Sequence, residues 1–199
     1  MTANPADRRQ QAAAAGYSSK GRSARSFVDD TDNSVRATAL GALHRLGELT
    51  NDDLEKALED PSPNVRRRAL TISTQFQDVA IDQLLDDKDI AIAEVAAWAC
   101  GERPVEDHIV AALARMAEGH DDPLCREAAV AALGALGDEA GRQAILAGLD
   151  DIVAVRRRAT LALAPFDGDD ITAALQQALD DRDWQVRQAA EDLLPPDSE

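Results

Sequence analysis

Apolar residues recur along this chain at helical spacing, and one set of spacings returns six times. Anchored on Val35, Val65, Ile92, Cys125, Val155 and Val186, the copies follow at intervals of 30, 27, 33, 30 and 31 residues. Four residues after each anchor stands an alanine: Ala39, Ala69, Ala96, Ala129, Ala159 and Ala190. Positions 0, +4, +7, +8 and +11 share one face of a helix, and in the fourth copy they read Cys125, Ala129, Ala132, Leu133 and Leu136. Upstream of these helices run further amphipathic segments, at 53–58, 81–85, 105–116, 140–149 and 171–179. Each copy therefore predicts a helical hairpin. A unit of about thirty residues cannot bury its apolar face alone and must stack on its neighbours.

Two polar columns accompany the apolar ones. Position +1 holds Arg36, Arg66, Arg126, Arg156 and Arg187, with Ala93 as the exception, and position −5 holds Asp30, Asp60, Asp87, Asp150 and Asp181, with His120 as the exception. Helix starts are marked by Thr50 or Asn51 with Asp52 and Asp53, by Asp60-Pro61-Ser62-Pro63, by Asp122-Pro123 and by Gly168-Asp169-Asp170, which offer capping oxygens, N1 prolines and acidic first turns. Gly137 and Gly168 fit stops and turns. The predicted fold is all-α: an α-solenoid, a right-handed superhelix of about six hairpins joined by short loops.

The ends differ from the middle. Residues 1–19 predict a basic N-terminal capping helix over 5–17 or, alternatively, a basic arm; residues 20–194 form the solenoid; and residues 195–199 are an acidic tail after the last helix. A solenoid end needs a polar outer face, which the Arg and Gln residues of the first segment supply.

Charge narrows the partners. The chain has 37 acidic against 21 basic residues, a net −16, and five of the basic residues crowd into positions 8–25. The field of the array repels phosphate backbones and anionic membranes, so nucleic acid and membrane are excluded as expected partners. No apolar run approaches the ~18 residues of a membrane span, and no leader pattern is present, so a cytoplasmic monomer is expected. Cys100 and Cys125 both fall at apolar positions and read as small buried hydrophobes.

The strings EDPSPNVRRRAL, DDPLCREAAVAALGALGDEAG and DDRDWQVRQAAEDLL resemble HEAT repeats of the short type found in phycobiliprotein lyase subunits and many bacterial scaffolding proteins. The resemblance covers residues 20–194. It implies that the turn aspartates and second-helix arginines form a hydrogen-bonded ladder. That role would fall to Asp30, Asp60, Asp87, Asp150 and Asp181 and to Arg36, Arg66, Arg126, Arg156 and Arg187, each arginine bridging to the aspartate of the next unit. It also implies either a binding module or, alternatively, a bilin lyase-like subunit or accessory factor for a covalent modification.

Catalytic chemistry finds little footing. There is no Gly-x-Ser-x-Gly elbow and no phosphate-cradling glycine loop. HEAT-type hydroxylases bind iron through His-Glu pairs, whereas His44, His108 and His120 are followed by Arg45, Ile109 and Asp121, so no metal and no cofactor is expected. HEAT-like DNA glycosylases need a basic groove, and the charge has the wrong sign. What remains is the outer face of the second helices, expected to line a concave surface. There Trp98 stands in a column of mostly small residues, between Glu94 and Glu102. It reads either as an exposed anchor or as core tilting into space left by Ala93 and Ala97. The expected site for an unknown protein or peptide is Trp98 with Glu94, Glu102, Arg67, Arg45, Glu127, Leu161 and Arg157 around it. Trp184 is expected to cover the end of the core.

Overall fold

In the computed structural model, described over residues 4–17 and 22–194, helices alternate with tight turns, and no strand occurs among the described residues. The chain divides into two compact units, 1–84 and 85–199.

The N-terminal unit contains α1 (Pro5–Ala15), α2 (Arg22–Arg25), α3 (Asn33–Leu46), α4 (Asn51–Leu58) and α5 (Pro63–Ser73). Helices α1, α3 and α5 form one row, while α4 packs against α5 and α2 against α1 and α3. The repeated apolar positions make the core: Val35, Ala39, Leu43, Val65, Ala69 and Leu70 are buried, together with Leu54 of α4. Helix α1 is part of this row, with Ala12 and Ala15 buried, so the segment is a capping helix and not a free arm. Thr50 closes α4 by a capping box: its hydroxyl accepts from the Asp53 N–H at 3.2 Å, and Asp53 accepts from the Thr50 N–H at 2.9 Å. After α5, the segment 81–85 is a single 3₁₀ turn, Asp82–Asp86, in place of an α-helix, and the boundary between the units falls inside it. The 27-residue interval between Val65 and Ile92 leaves no length for a longer helix.

The C-terminal unit contains α6 (Ile90–Gly101), α7 (Asp107–Gly119), α8 (Pro123–Leu136), α9 (Arg142–Ala147), α10 (Val153–Ala162), α11 (Asp169–Ala178) and α12 (Trp184–Leu193). Helices α6, α8, α10 and α12 pack in sequence as one layer, and α7 packs on α8 and α9, with α11 against α12, as the other. The 33-residue interval between Ile92 and Cys125 is taken up by α7, at 13 residues the longest of the paired first helices. Adjacent second helices meet at small residues. A Cβ added to Gly101 would lie 2.9 Å from the Ala132 Cα, and one added to Gly134 would lie 2.6 Å from the Ala162 Cβ. Both cysteines are buried, and burial pushes the Cys125 thiol up to about 11.

Caps follow a column three residues before the anchor. Asp32, Asp89, Asp122 and Asp183 each accept from backbone N–H groups of the helix they precede. Gly47 and Gly137 end α3 and α8 in the left-handed conformation, at φ 68° and 63°. Helix α11 starts at Gly168-Asp169-Asp170 with the two aspartates in its first turn. Gly168 occupies the cap with no side-chain bond, and Asp170 instead pairs with Arg142.

Candidate functional site

The arginine column forms inter-repeat rungs of fixed geometry. Arg36 donates Nε and Nη2 to the two carboxylate oxygens of Asp60, both at 2.7 Å, while its Nη1 donates to the Asp30 carbonyl of its own turn at 2.8 Å. Arg156 does the same with Asp181 at 2.8 and 3.0 Å. One atom set thus clamps its own turn and the next. The arginine fork holds the Asp181 carboxyl below the usual carboxylate range.

Three features of the ladder differ from the sequence columns. Arg126 reaches Asp151, at 2.6 and 2.8 Å, and not Asp150, which is exposed. The reason is local: a 3₁₀ turn at Gly148–Asp150 winds the chain more tightly than an α-helix, and Ile152 takes the place of the capping aspartate, so the ladder carboxylate arrives one residue later. Second, Arg8 of α1 forms a rung with Asp30 at 2.7 and 2.9 Å, which extends the ladder into the capping helix. Arg8 lies outside the Val-Arg pattern; the alanines at 12 and 15 that follow it at core spacing were the available signal.

Third, the two exceptions are one event. A rung runs from the arginine of one repeat to the aspartate of the next, so Ala93 in the third copy and His120 in the fourth stand at the two ends of the same absent rung. Ala93 is fully buried, and His120 keeps the turn by accepting the Asp122 N–H at Nδ1, 3.0 Å away, as an aspartate oxygen does elsewhere. Its carbonyl receives Arg126 at 2.8 Å. No group of three or more His, Cys, Asp or Glu among the described residues is placed to hold a metal ion.

The expected partner-binding residues divide between the two units. In the C-terminal unit Trp98 lies on the open face of the second-helix layer and is 45% exposed, so it is not core. It borders a groove of about 450 Å³ between α6 and α8 with Glu94, Val95, Gly101, Glu102 and the small side chains of Ala128, Ala131, Ala132 and Ala135. The helical turn puts Glu94 and Glu102 on either side of Trp98, and neither has a basic partner among the described residues. Leu161, 49% exposed, stands on α10 of the same layer. Glu127 faces Arg158 at 3.4 Å, and Arg157 is committed to a two-pronged pair with Asp183 at 2.9 Å, so these two are occupied. Trp184 does not cover the core: it is 63% exposed, because two residues before Val186 is the opposite side of the helix.

Arg45 and Arg67 belong to the N-terminal unit, where they line a separate groove of about 580 Å³ over α3 and α5 with Tyr17, Arg68, Asn64, Thr38 and Thr71. The Arg45 guanidinium lies 4.9 Å from the centre of the Tyr17 ring. The two grooves have opposite charge.

A family model for HEAT repeats matches residues 78–164. No curated protein matches the chain. Among solved structures, a designed armadillo repeat protein in complex with the peptide (KR)4 is similar with a TM-score of 0.65 at 15% identity, over 87% of this chain and 97% of that one. A second designed armadillo repeat protein gives 0.59 at 16% identity, over 84% and 95%, and an engineered protein gives 0.60 at 18%, over 87% and 94%. At these identities the likeness is one of fold, that of an α-solenoid. No helix among the described residues is long and apolar enough to cross a membrane.

Proposed function

With HEAT repeats at its centre and the same columns running on to either side, the chain is a HEAT-repeat protein, and we propose that it is a non-catalytic interaction scaffold whose C-terminal unit holds a basic, extended segment of a partner protein. The reading is carried by one observation: a half-exposed tryptophan over a floor of glycine and alanine, flanked by two glutamates that no cation among the described residues neutralises. Exposed apolar surface of this kind costs solubility unless it is used, and an aromatic face beside carboxylates suits the aliphatic stem and charged head of lysine or arginine. The small side chains of α8 leave room for a backbone to lie close. The net charge of −16 steers such a partner inward. That a designed protein of the same fold holds the peptide (KR)4 is compatible with a basic strand on such a surface, but the proposal rests on the residues of this chain.

The test is a fluorescence titration with an alternating Lys-Arg octapeptide in a Trp184→Phe background, where Trp98 is the sole tryptophan reporter. Binding should shift Trp98 emission, weaken with salt, and fall about 30-fold in Trp98→Ala, equivalent to ~2 kcal/mol for an aromatic anchor. The Ala variant is followed by anisotropy of a labelled peptide. Equal binding by Trp98→Ala and the parent would refute the site.

A further inference from the structure

Eight of the chain's 18 arginines, Arg8, Arg25, Arg36, Arg126, Arg142, Arg156, Arg157 and Arg158, each hold a carboxylate. Among the rest, Arg45, Arg67 and Arg68 have no carboxylate partner among the described residues and are set apart by converging on one groove, that of the N-terminal unit, where no acidic residue is among the lining. Bringing three unpaired guanidinium groups together costs repulsion, and in a chain with 37 acidic residues neutralising them from within would have been easy. Their orientation is held from below. Tyr17 takes the face of Arg45, leaving its N–H edge outward, and Gly41 makes room for Arg68, since a Cβ there would lie 3.0 Å from the Arg68 Cζ and collide with the guanidinium tip.

The rest of the lining separates possible ligands. The hydroxyls of Thr38 and Thr71, both in the lining, donate to the Ser34 and Arg67 carbonyls, at 2.6 and 3.0 Å, which leaves each oxygen able to accept. Acceptors suit the N–H groups of a peptide backbone, which a sugar-phosphate backbone lacks. Asn64, exposed at the start of α5, can donate to and accept from a backbone amide.

We propose that the groove of the N-terminal unit is a second docking site, for an acidic peptide segment of a partner protein, with its carboxylates forked by Arg45, Arg67 and Arg68 and its backbone held by Asn64 and the two threonines. The site is independent of the Trp98 groove and opposite to it in charge.

The experiment measures anisotropy of a fluorescein-labelled Asp/Glu octapeptide against the full chain at low and physiological salt, beside its Asn/Gln counterpart and a single-stranded oligonucleotide of equal charge. Arg45→Gln and Arg67→Gln should each weaken the acidic peptide about tenfold. Arg115→Gln, which removes the same charge from an exposed position in the other unit, should change it less than about twofold. Gly41→Ala should weaken binding by displacing Arg68 while the far-UV circular dichroism stays unchanged. The Trp98→Ala variant should bind the acidic peptide as the parent does, which separates failure here from failure of the first site. Equal binding of the neutral peptide, an Arg115→Gln effect as large as that of Arg67→Gln, or tighter capture of the oligonucleotide would each overturn the proposal.

Discussion

Replacing Arg156 by methionine tests whether the rungs hold the repeats together or decorate them. The guanidinium makes three charge-assisted bonds, to both Asp181 oxygens and to the Asp151 carbonyl at 2.9 Å, and the paired side chains are only 8% and 16% exposed. Methionine keeps the aliphatic packing but leaves the Asp181 carboxylate with only the Asp183 N–H, at 2.7 Å, among the described residues. Breaking a fully buried pair costs ~3–5 kcal/mol, and an exposed pair ~0–1 kcal/mol. This rung lies between, nearer the buried case, so Arg156→Met should lose about 2–3 kcal/mol.

A double-mutant cycle with Asp181→Asn isolates the bridge, because asparagine can still accept the Asp183 N–H. The coupling should be about 1.5–2.5 kcal/mol by urea denaturation followed at 222 nm. Arg187 supplies the control. It occupies the same column, yet its Nη1 bond goes to the Asp181 carbonyl and it stands in the last repeat, so Arg187→Met should lose about 1 kcal/mol or less. A coupling under about 0.5 kcal/mol, or equal losses at 156 and 187, would refute the ladder as a source of stability and leave apolar stacking alone to hold the array.

Gly134→Ala forces a methyl against Ala162 across α8 and α10; overpacking outweighs the gain in helix propensity, and the midpoint should fall by an amount worth about 1–2 kcal/mol. Building the absent rung should be cooperative: Ala93→Arg alone destabilises by placing a charge at a buried alanine, and adding His120→Asp should recover at least about 1 kcal/mol as coupling in the same cycle. Acid should unfold the protein through its rungs. The arginine forks depress the carboxyls of Asp30, Asp151 and Asp181, and that of Asp183 to about 2. Groups depressed in the folded state contribute fully above the unfolded value of 3.8 and lose that contribution as pH falls through the folded values, so stability should drop between pH 4 and 2. A flat profile over that range would contradict the assignment.

The hairpins were legible because both periods that matter, helical spacing within a unit and thirty residues between units, are written in side-chain type. What column arithmetic could not supply was displacement along the chain and identity of neighbours. Asp150 and Asp151 are adjacent and chemically equal; a 3₁₀ turn decides between them, and nothing in the composition of that turn announces its winding. Arg8 was missed since its helix lacks the Val-Arg signature. Position +6 says which way Trp98 points and not which groove it borders. Its neighbours are Glu94, Glu102 and the alanines of α8, while Arg45 and Arg67 line a groove of their own.

Exceptions to a repeat pattern are natural places to look for function, and here they sort by whether a structural partner accounts for them. Ala93 loses its meaning as a functional clue once His120 is seen to be the other end of the same rung: removing an arginine frees the next turn from needing a carboxylate, and a histidine nitrogen suffices to hold the turn. The rule extends to arginines. Those that fork a carboxylate of the next repeat serve the scaffold, whatever their column, and Arg157 is one of them. Arg45, Arg67 and Arg68, which converge on one groove with no carboxylate in its lining, and Trp98, which no core claims, carry charge or apolar area that the described fold does not satisfy. Such residues are where a partner can supply the missing half of the interaction.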